Sequence, residues 1–203
     1  GVGCSAHKFS SGSHAEGRIA GKAAIKFLVD NPGDVNLDAS KFEEIKAEIL
    51  KPLKTYEEGK GYTVTDDITP NYIRPKMFLF RLNKIMDEYA GGTSSWYITN
   101  KPMLERALEE LRMLYEDSKF LGADGLHELM RAWENYHRLW TSEAHVRHLM
   151  FREETRYPGY YYRADFKEVL DQENWHVFTI SKWDPATREW SIRKEPVQNW
   201  LGL

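Results

Sequence analysis

The sequence holds a single cysteine, Cys4, in 203 residues. One thiol excludes an intramolecular disulfide framework, and it excludes an iron–sulfur cluster ligated by this chain's cysteines alone. A basic surplus is also missing. With 28 Lys and Arg against 31 Asp and Glu, the formal net charge is −3, which lacks the electrostatic footprint of a nucleic-acid binder. The longest apolar runs, such as Phe27 to Val29 and Leu139-Trp140, fall far short of the roughly 18 residues of a membrane span. No charged-then-apolar leader is visible. G-x-S-x-G, the P-loop and a complete G-x-G-x-x-G are absent, so nucleophilic hydrolysis and nucleotide binding find no motif. What the chain does have is 41% hydrophobic and 13% aromatic residues, enough for one large or two small packed domains. Composition points to a soluble protein of a reducing compartment, and a cytoplasmic location is expected. The first residue is Gly1 rather than Met, and the opening dozen residues read like the middle of a longer chain.

The order of patterns predicts a mainly α protein. Gly1 to Gly12 is Gly- and Ser-rich and reads as a loop. Ser13 and Glu16 have the spacing of a reciprocal capping box, so a helix is expected from His14 to Val29, stopped by Asp30-Asn31-Pro32-Gly33. Gly17, Ala20, Gly21 and Ala24 leave one face of that helix nearly bare, which suits close backbone approach. A polar insertion follows with one helix near Ala39 to Tyr56, which Pro52 should kink or end early. From Arg74 to Arg156 three apolar stripes at helical spacing predict an antiparallel three-helix bundle. The first runs through Met77, Leu79, Phe80, Leu82, Ile85, Met86 and Tyr89. The second, through Met103, Leu104, Ala107, Leu108, Leu111, Leu114 and Tyr115, is opened by Asn100 and Pro102. The third runs from Leu126 to Trp140, and Ser142 to Glu154 continues it or bends away. Beyond Tyr157-Pro158-Gly159, Trp175 to Lys182 and Glu189 to Lys194 alternate as two hairpin strands joined through Asp184-Pro185-Ala186-Thr187. The expected divisions are 1–33, 34–72, 73–156 and 157–203.

Four groups of residues carry chemical potential. The junction from His7 to His14 leads small residues into a helix N-terminus, whose free amides and positive dipole end suit an electron-rich oxygen; an ordinary capped helix is the plainer reading. Cys4, His7 and His14, or His145 and His148 three apart, supply metal-ligand types but lack the further ligands of a closed site, so no metal is expected. Trp133, Tyr136, His137 and Trp140 form an aromatic stripe that reads as bundle core. Arg156 and Arg163, flanking aromatics and close to Glu154 and Asp165, either grip an outside anion or tie the tail down internally. The acidic–basic runs are solvated faces.

Two of these groups together carry a resemblance. The opening, Gly1-Val2-Gly3 through His7-Lys8-Phe9-Ser10-Ser11-Gly12-Ser13-His14-Ala15-Glu16-Gly17-Arg18-Ile19-Ala20-Gly21, resembles the last FAD-binding segment of the succinate dehydrogenase/fumarate reductase flavoprotein family. So does the later order of bundle, Glu154-Thr155-Arg156, Arg163-Ala164-Asp165 and Asn174-Trp175. Arg156 to Phe166, with its run of tyrosines, is similar to that family's adenylylsulfate reductase branch. The resemblance implies that this chain is the end of an FAD-binding α/β domain, a loop plus helix, followed by a three-helix C-terminal domain and a tail with a short β-hairpin. It implies FAD, shared with a region upstream, and cofactor contacts at Ser10, Ser11, Gly12, Ser13 and His14. It implies conversion between adenylyl sulfate and sulfite plus AMP through a flavin–sulfite adduct. Electrons would come from an iron–sulfur beta subunit bearing [4Fe-4S] clusters, with a possible link to a membrane electron-transfer complex.

The departures matter. Where the dicarboxylate-reducing members carry an arginine, this chain has Lys8, with His7 beside it as the other candidate at the substrate. A lysine is a point charge without the arginine fork, which fits an anion other than fumarate or succinate. Arg156 and Arg163 lie seven apart, two more than the dehydrogenase interval, so their family roles are not transferred. Lacking the upstream G-x-G-x-x-G, the chain is expected to be inactive and colourless by itself. Other members of the same family, and a non-catalytic helical module that binds a partner subunit, are the alternatives.

Overall fold

The computed structural model describes residues 9–33, 38–62, 71–156, 161–166 and 169–198, and side chains from residue 13 onward except that of Tyr62. The chain divides into two compact units, Gly1–Ile45 and Lys46–Leu203.

The described part of the first unit is helical. Helix α1 spans Phe9–Asp30, so it opens several residues before the predicted capping box. Ser13 lies inside the helix and is not its N-cap. Asn31 ends α1 by turning its side-chain amide back onto the Phe27 carbonyl at 2.9 Å. Gly17 and Gly21 face open space: a methyl group added at either would meet nothing within 4 Å. The close approach expected of that face is not made among the described residues. Asp38 then accepts from the Ser40 amide at 3.0 Å, and helix α2 runs over Ser40–Gly59. Pro52 does not end it early. The ring is buried within α2, and its carbonyl accepts the Ala123 amide at 2.9 Å.

The second unit is built on three helices: α3 (Pro75–Tyr89), α4 (Lys101–Asp117) and α5 (Leu126–Phe151). Pro75 stands in the first turn of α3, where a missing N–H costs nothing. Asn100 caps α4 by accepting the Met103 amide at 2.9 Å, with Pro102 just inside. All three pairs of helices pack, which gives the predicted bundle. Its core is Phe78, Leu82, Ile85, Leu104, Ala107, Leu111, Leu114, Leu139, Val146 and Leu149. Phe78, absent from the predicted stripe, is fully buried, while Met77 and Phe80, included in it, stand about half exposed. Helix α5 runs unbroken to Phe151, so the stretch from Ser142 continues the third helix.

Tyr72 locks α2 to the bundle. A Cβ at Gly59 would come within 2.9 Å of its ring, and one at Gly122 within 2.8 Å, so only glycine admits the ring on both sides. Ile73 bridges Leu121, donating to Phe120 at 2.7 Å and accepting from Gly122 at 3.0 Å.

Two small sheets complete the unit. A parallel pair joins β1 (Ile98–Thr99) to β2 (Tyr162–Arg163), a pairing that local pattern did not predict. After a short helix α6 (Gln172–Trp175), β3 (Val177–Asp184) and β4 (Glu189–Pro196) form the expected antiparallel hairpin. Trp175 thus belongs to the helix and not to the strand. The hairpin lies along α5. Trp183 meets Trp140 edge-on at 4.9 Å, Thr179 meets His148 at 2.8 Å, and Trp175 meets Phe151 at 5.8 Å. Moving from Trp140 to His148 advances α5 by about 12 Å. Moving from Trp183 back to Thr179 covers about 13 Å of strand. The two ladders match, so one helix face serves the whole of β3.

Candidate functional site

The predicted flavin-facing segment is the start of α1. Cys4, His7 and Lys8 lie outside the described residues. Ser10, Ser11 and Gly12 form the opening of the helix, and Ser13 and His14 follow with exposed side chains. Because α1 opens at Phe9, the amides left without an intrahelical acceptor are those of its first turn. Ser10 and Ser11 are there, whereas the amides of Ser13 and His14 enter the helical ladder. No acidic side chain occupies that turn. A small, uncharged first turn at the positive end of a helix of 22 residues fits an electron-rich group, and no carboxylate competes for its amides.

The arginine cluster proves to be internal. Glu154 is fully buried in the turn after α5. Arg156 forks onto it through Nε at 2.6 Å and an Nη at 2.9 Å, and Arg152 donates to it at 2.7 Å. Arg152 was not among the predicted residues. The signal for it is Arg152-x-Glu154-x-Arg156, since residues two apart in extended chain point to the same side. The remaining donors of this pair reach the Trp175, Val177 and Asp171 carbonyls, so they fasten the hairpin and α6 to the end of α5.

Arg163, only 2% exposed, has a second internal task. One Nη donates to the carbonyls of Leu149 and Arg152, capping the C-terminal end of α5 where a cation is favoured. Its Nε and other Nη fork onto both oxygens of Asp165 at 2.9 Å. Asp165 also accepts the Lys101 amide at 2.8 Å, at the N-terminal end of α4. Burial acts to raise the Asp165 carboxyl, but the Arg163 fork and the Lys101 amide outweigh it and hold the group below its ordinary value. The pair thus bridges the negative end of α5 to the positive end of α4. With both forks filled by carboxylates of the same chain, neither Arg156 nor Arg163 is available to grip an outside anion.

The two histidines of α5 share a cavity of about 490 Å³ with Tyr161, Trp175 and His176. Burial, then the neighbouring His148, lowers the basicity of His145; burial, then Arg152, lowers that of His148. Among the described residues no group of three or more His, Cys, Asp or Glu is placed to hold a metal ion. The aromatic stripe of α5 lies beside the bundle core and is not part of it. Trp133 donates to the Ile49 carbonyl of α2 at 2.9 Å, Tyr136 donates to the Ser118 carbonyl at 3.0 Å, and Trp140 packs on Trp183 and Trp190. His137 is exposed. The residues buried behind the stripe are Leu129, Ala132, Asn135 and Leu139, one step round the helix.

Comparison with known proteins agrees with this architecture. Residues 81–200 match the family model described as fumarate reductase flavoprotein C-term. The chain is 50% identical over 196 residues to the adenylylsulfate reductase subunit alpha of Megalodesulfovibrio gigas, which covers 97% of this chain and 29% of that protein. The structure of adenylylsulfate reductase from Archaeoglobus fulgidus superposes with a TM-score of 0.89 at 50% identity, covering 95% of this chain and 30% of that one. A structure of adenosine-5-phosphosulfate reductase in complex with sulfite, as a covalent adduct, gives 0.90 at 50% identity over the same shares. The chain therefore spans about three tenths of the length of these relatives. No described helix is long and apolar enough to cross a membrane. A bundle with a hairpin laid along its third helix, matched over residues 81–200, shows that the chain belongs to the fumarate reductase flavoprotein C-terminal family.

Proposed function

We propose that this chain is the C-terminal portion of the FAD-containing subunit of an adenylylsulfate reductase, acting in the cytoplasm on adenylyl sulfate, sulfite and AMP. The observation that carries the reading is 50% identity over 97% of the chain to a protein of that name. FAD, when bound, supplies the two-electron chemistry that interconverts adenylyl sulfate with sulfite and AMP. The residues here bind and orient. The first turn of α1, through the amides near Ser10, Ser11 and Gly12, donates to the electron-rich edge of the cofactor, with Ser13 and His14 behind it. His7 and Lys8 meet the substrate anion. Lys8 offers one compact charge, suited to a sulfate or phosphate oxygen and poorly matched to the flat, two-point grip a dicarboxylate asks of arginine. Glu154, Arg156, Arg163 and Asp165 hold the end of α5, α6 and the hairpin in place and take no part in the chemistry. The lone Cys4 leaves no cluster ligands in this chain, so electrons arrive through a partner subunit carrying [4Fe-4S] clusters.

The test is turnover by the complete polypeptide assembled with its electron-transfer partner. Adenylyl sulfate with a reduced dye is expected to yield sulfite and AMP, while fumarate is left untouched. Reduction of fumarate with adenylyl sulfate inert would assign the chain to the dicarboxylate branch of the family instead.

A further inference from the structure

A cavity of about 550 Å³ opens between α4, α5 and the β3–β4 hairpin, within the range of roughly 300–1,000 Å³ typical of small-molecule sites. Leu108 and Leu139 contribute apolar surface to it, and the rings of Tyr115, Trp140 and Trp183 form aromatic wall. Trp140 and Trp183 are fixed by their edge-on contact at 4.9 Å, and Trp190 braces both at 5.7 and 5.4 Å. The wall is therefore preorganised.

The charges at this cavity are unbalanced in an informative way. Its two carboxylates are already engaged: Glu109 accepts from Arg106 at 2.9 Å and Glu143 from Arg147 at 2.8 Å. Arg112 and Arg188 also line it, and among the described residues neither has a carboxylate within ion-pair distance. Arg188 stands in addition at φ +58°, a left-handed conformation that turns ordinarily give to Gly or Asn. The turn holds it there through the Arg188 amide on the Asp184 carbonyl at 2.8 Å and the Ala186 amide on the Asp184 carboxylate at 2.9 Å. An arginine fixed by the hairpin turn, with no carboxylate partner among the described residues, thus lines an aromatic cavity.

We infer that this cavity binds a planar aromatic anion of nucleoside-monophosphate size. The ring system stacks on the indole and phenol surfaces, and the anionic group takes the two free guanidiniums of Arg112 and Arg188. Stacking on aromatic side chains and charge-assisted hydrogen bonds from arginine are the two interactions such a molecule uses best. None of these residues belongs to the flavin-facing segment or to the arginine clasp after α5.

The test is a titration of the complete flavin-containing polypeptide with GMP, followed through the indole N–H signals of Trp140 and Trp183 by NMR, assigned with W140F and W183F. Saturable shifts of both signals are expected. Arg112→Gln and Arg188→Gly should each weaken GMP tenfold or more. The glycine variant relieves the left-handed strain, so its loss of binding cannot be attributed to unfolding. Guanosine and inorganic phosphate, tested separately, should each bind at least tenfold more weakly than GMP. Absence of a saturable shift overturns the inference. So does an affinity that survives either arginine substitution, or a guanosine or phosphate affinity equal to that of GMP.

Discussion

The two units of the chain spend their apolar residues in opposite ways. In Lys46–Leu203, Phe78, Leu104, Leu114 and Val146 are fully buried, and the bundle closes over them. In Gly1–Ile45, Ile19, Ile25, Phe27, Leu28 and Val29 of α1 stand 65–71% exposed, and Phe42 and Ile45 of α2 about half exposed. The exposed apolar residues of α1 point to several sides of the helix and are interspersed with Arg18, Lys22 and Lys26. The comparison teaches that sequence hydrophobicity has two destinations here. One is a core the chain completes for itself; the other is a helix surface that the described residues leave uncovered.

Paired substitutions break or sharpen that contrast. Phe78→Ala should cost about 3–5 kcal/mol in denaturant unfolding, the usual penalty for emptying a fully buried aromatic site. Phe27→Ala, the same chemical change at an exposed position, should stay within about 0.5 kcal/mol. Equal costs at the two positions would erase the distinction between the units. Glu154→Ala is expected to cost about 3 kcal/mol or more, since it strips the shared acceptor from two largely buried arginines. It should also loosen the hairpin, visible as faster amide exchange in β3 and β4 with the bundle core unchanged.

A smaller effect concerns pH. His145 and His148 are both less basic in the folded chain than in the unfolded one. The folded chain therefore favours the neutral imidazoles more than the unfolded chain does. Their contribution is fully present above the ordinary histidine value near 6.5 and is lost as the pH falls below it, because the unfolded chain then binds protons that the folded chain resists. Melting temperature should drop between pH 7 and pH 5, above the range where carboxylates titrate. His145→Asn should flatten that part of the profile, and an unchanged slope would remove the histidines from the account.

Much of the bundle was legible because helical spacing and caps are local. Asn100 with Pro102 and the Asp184-Pro185 turn mark real boundaries. The misreadings have physical causes. Met77 and Phe80 flank the buried Phe78, and a stripe two residues wide does not say which member faces inward until partner helices are placed. Pro52 is tolerated inside α2, buried and tied through its carbonyl to Ala123. The capping box at Ser13 and Glu16 is good local chemistry overruled by four further helical residues ahead of it. In the candidate site, the loop-to-helix character of 7–14 was readable from composition. The tasks of Arg156 and Arg163 were not, because carboxylates two residues away and helix ends brought together only by the fold decide them.

The division of labour between the units is tested most directly by hydrogen exchange on the complete flavin-containing polypeptide, with and without its FAD. Amides over Phe9–Asp30 should lose protection when the flavin is removed, while those of α3, α4 and α5 keep theirs. If α1 exchanges identically in both states, or if the bundle loosens instead, α1 does not face the flavin and the account is contradicted.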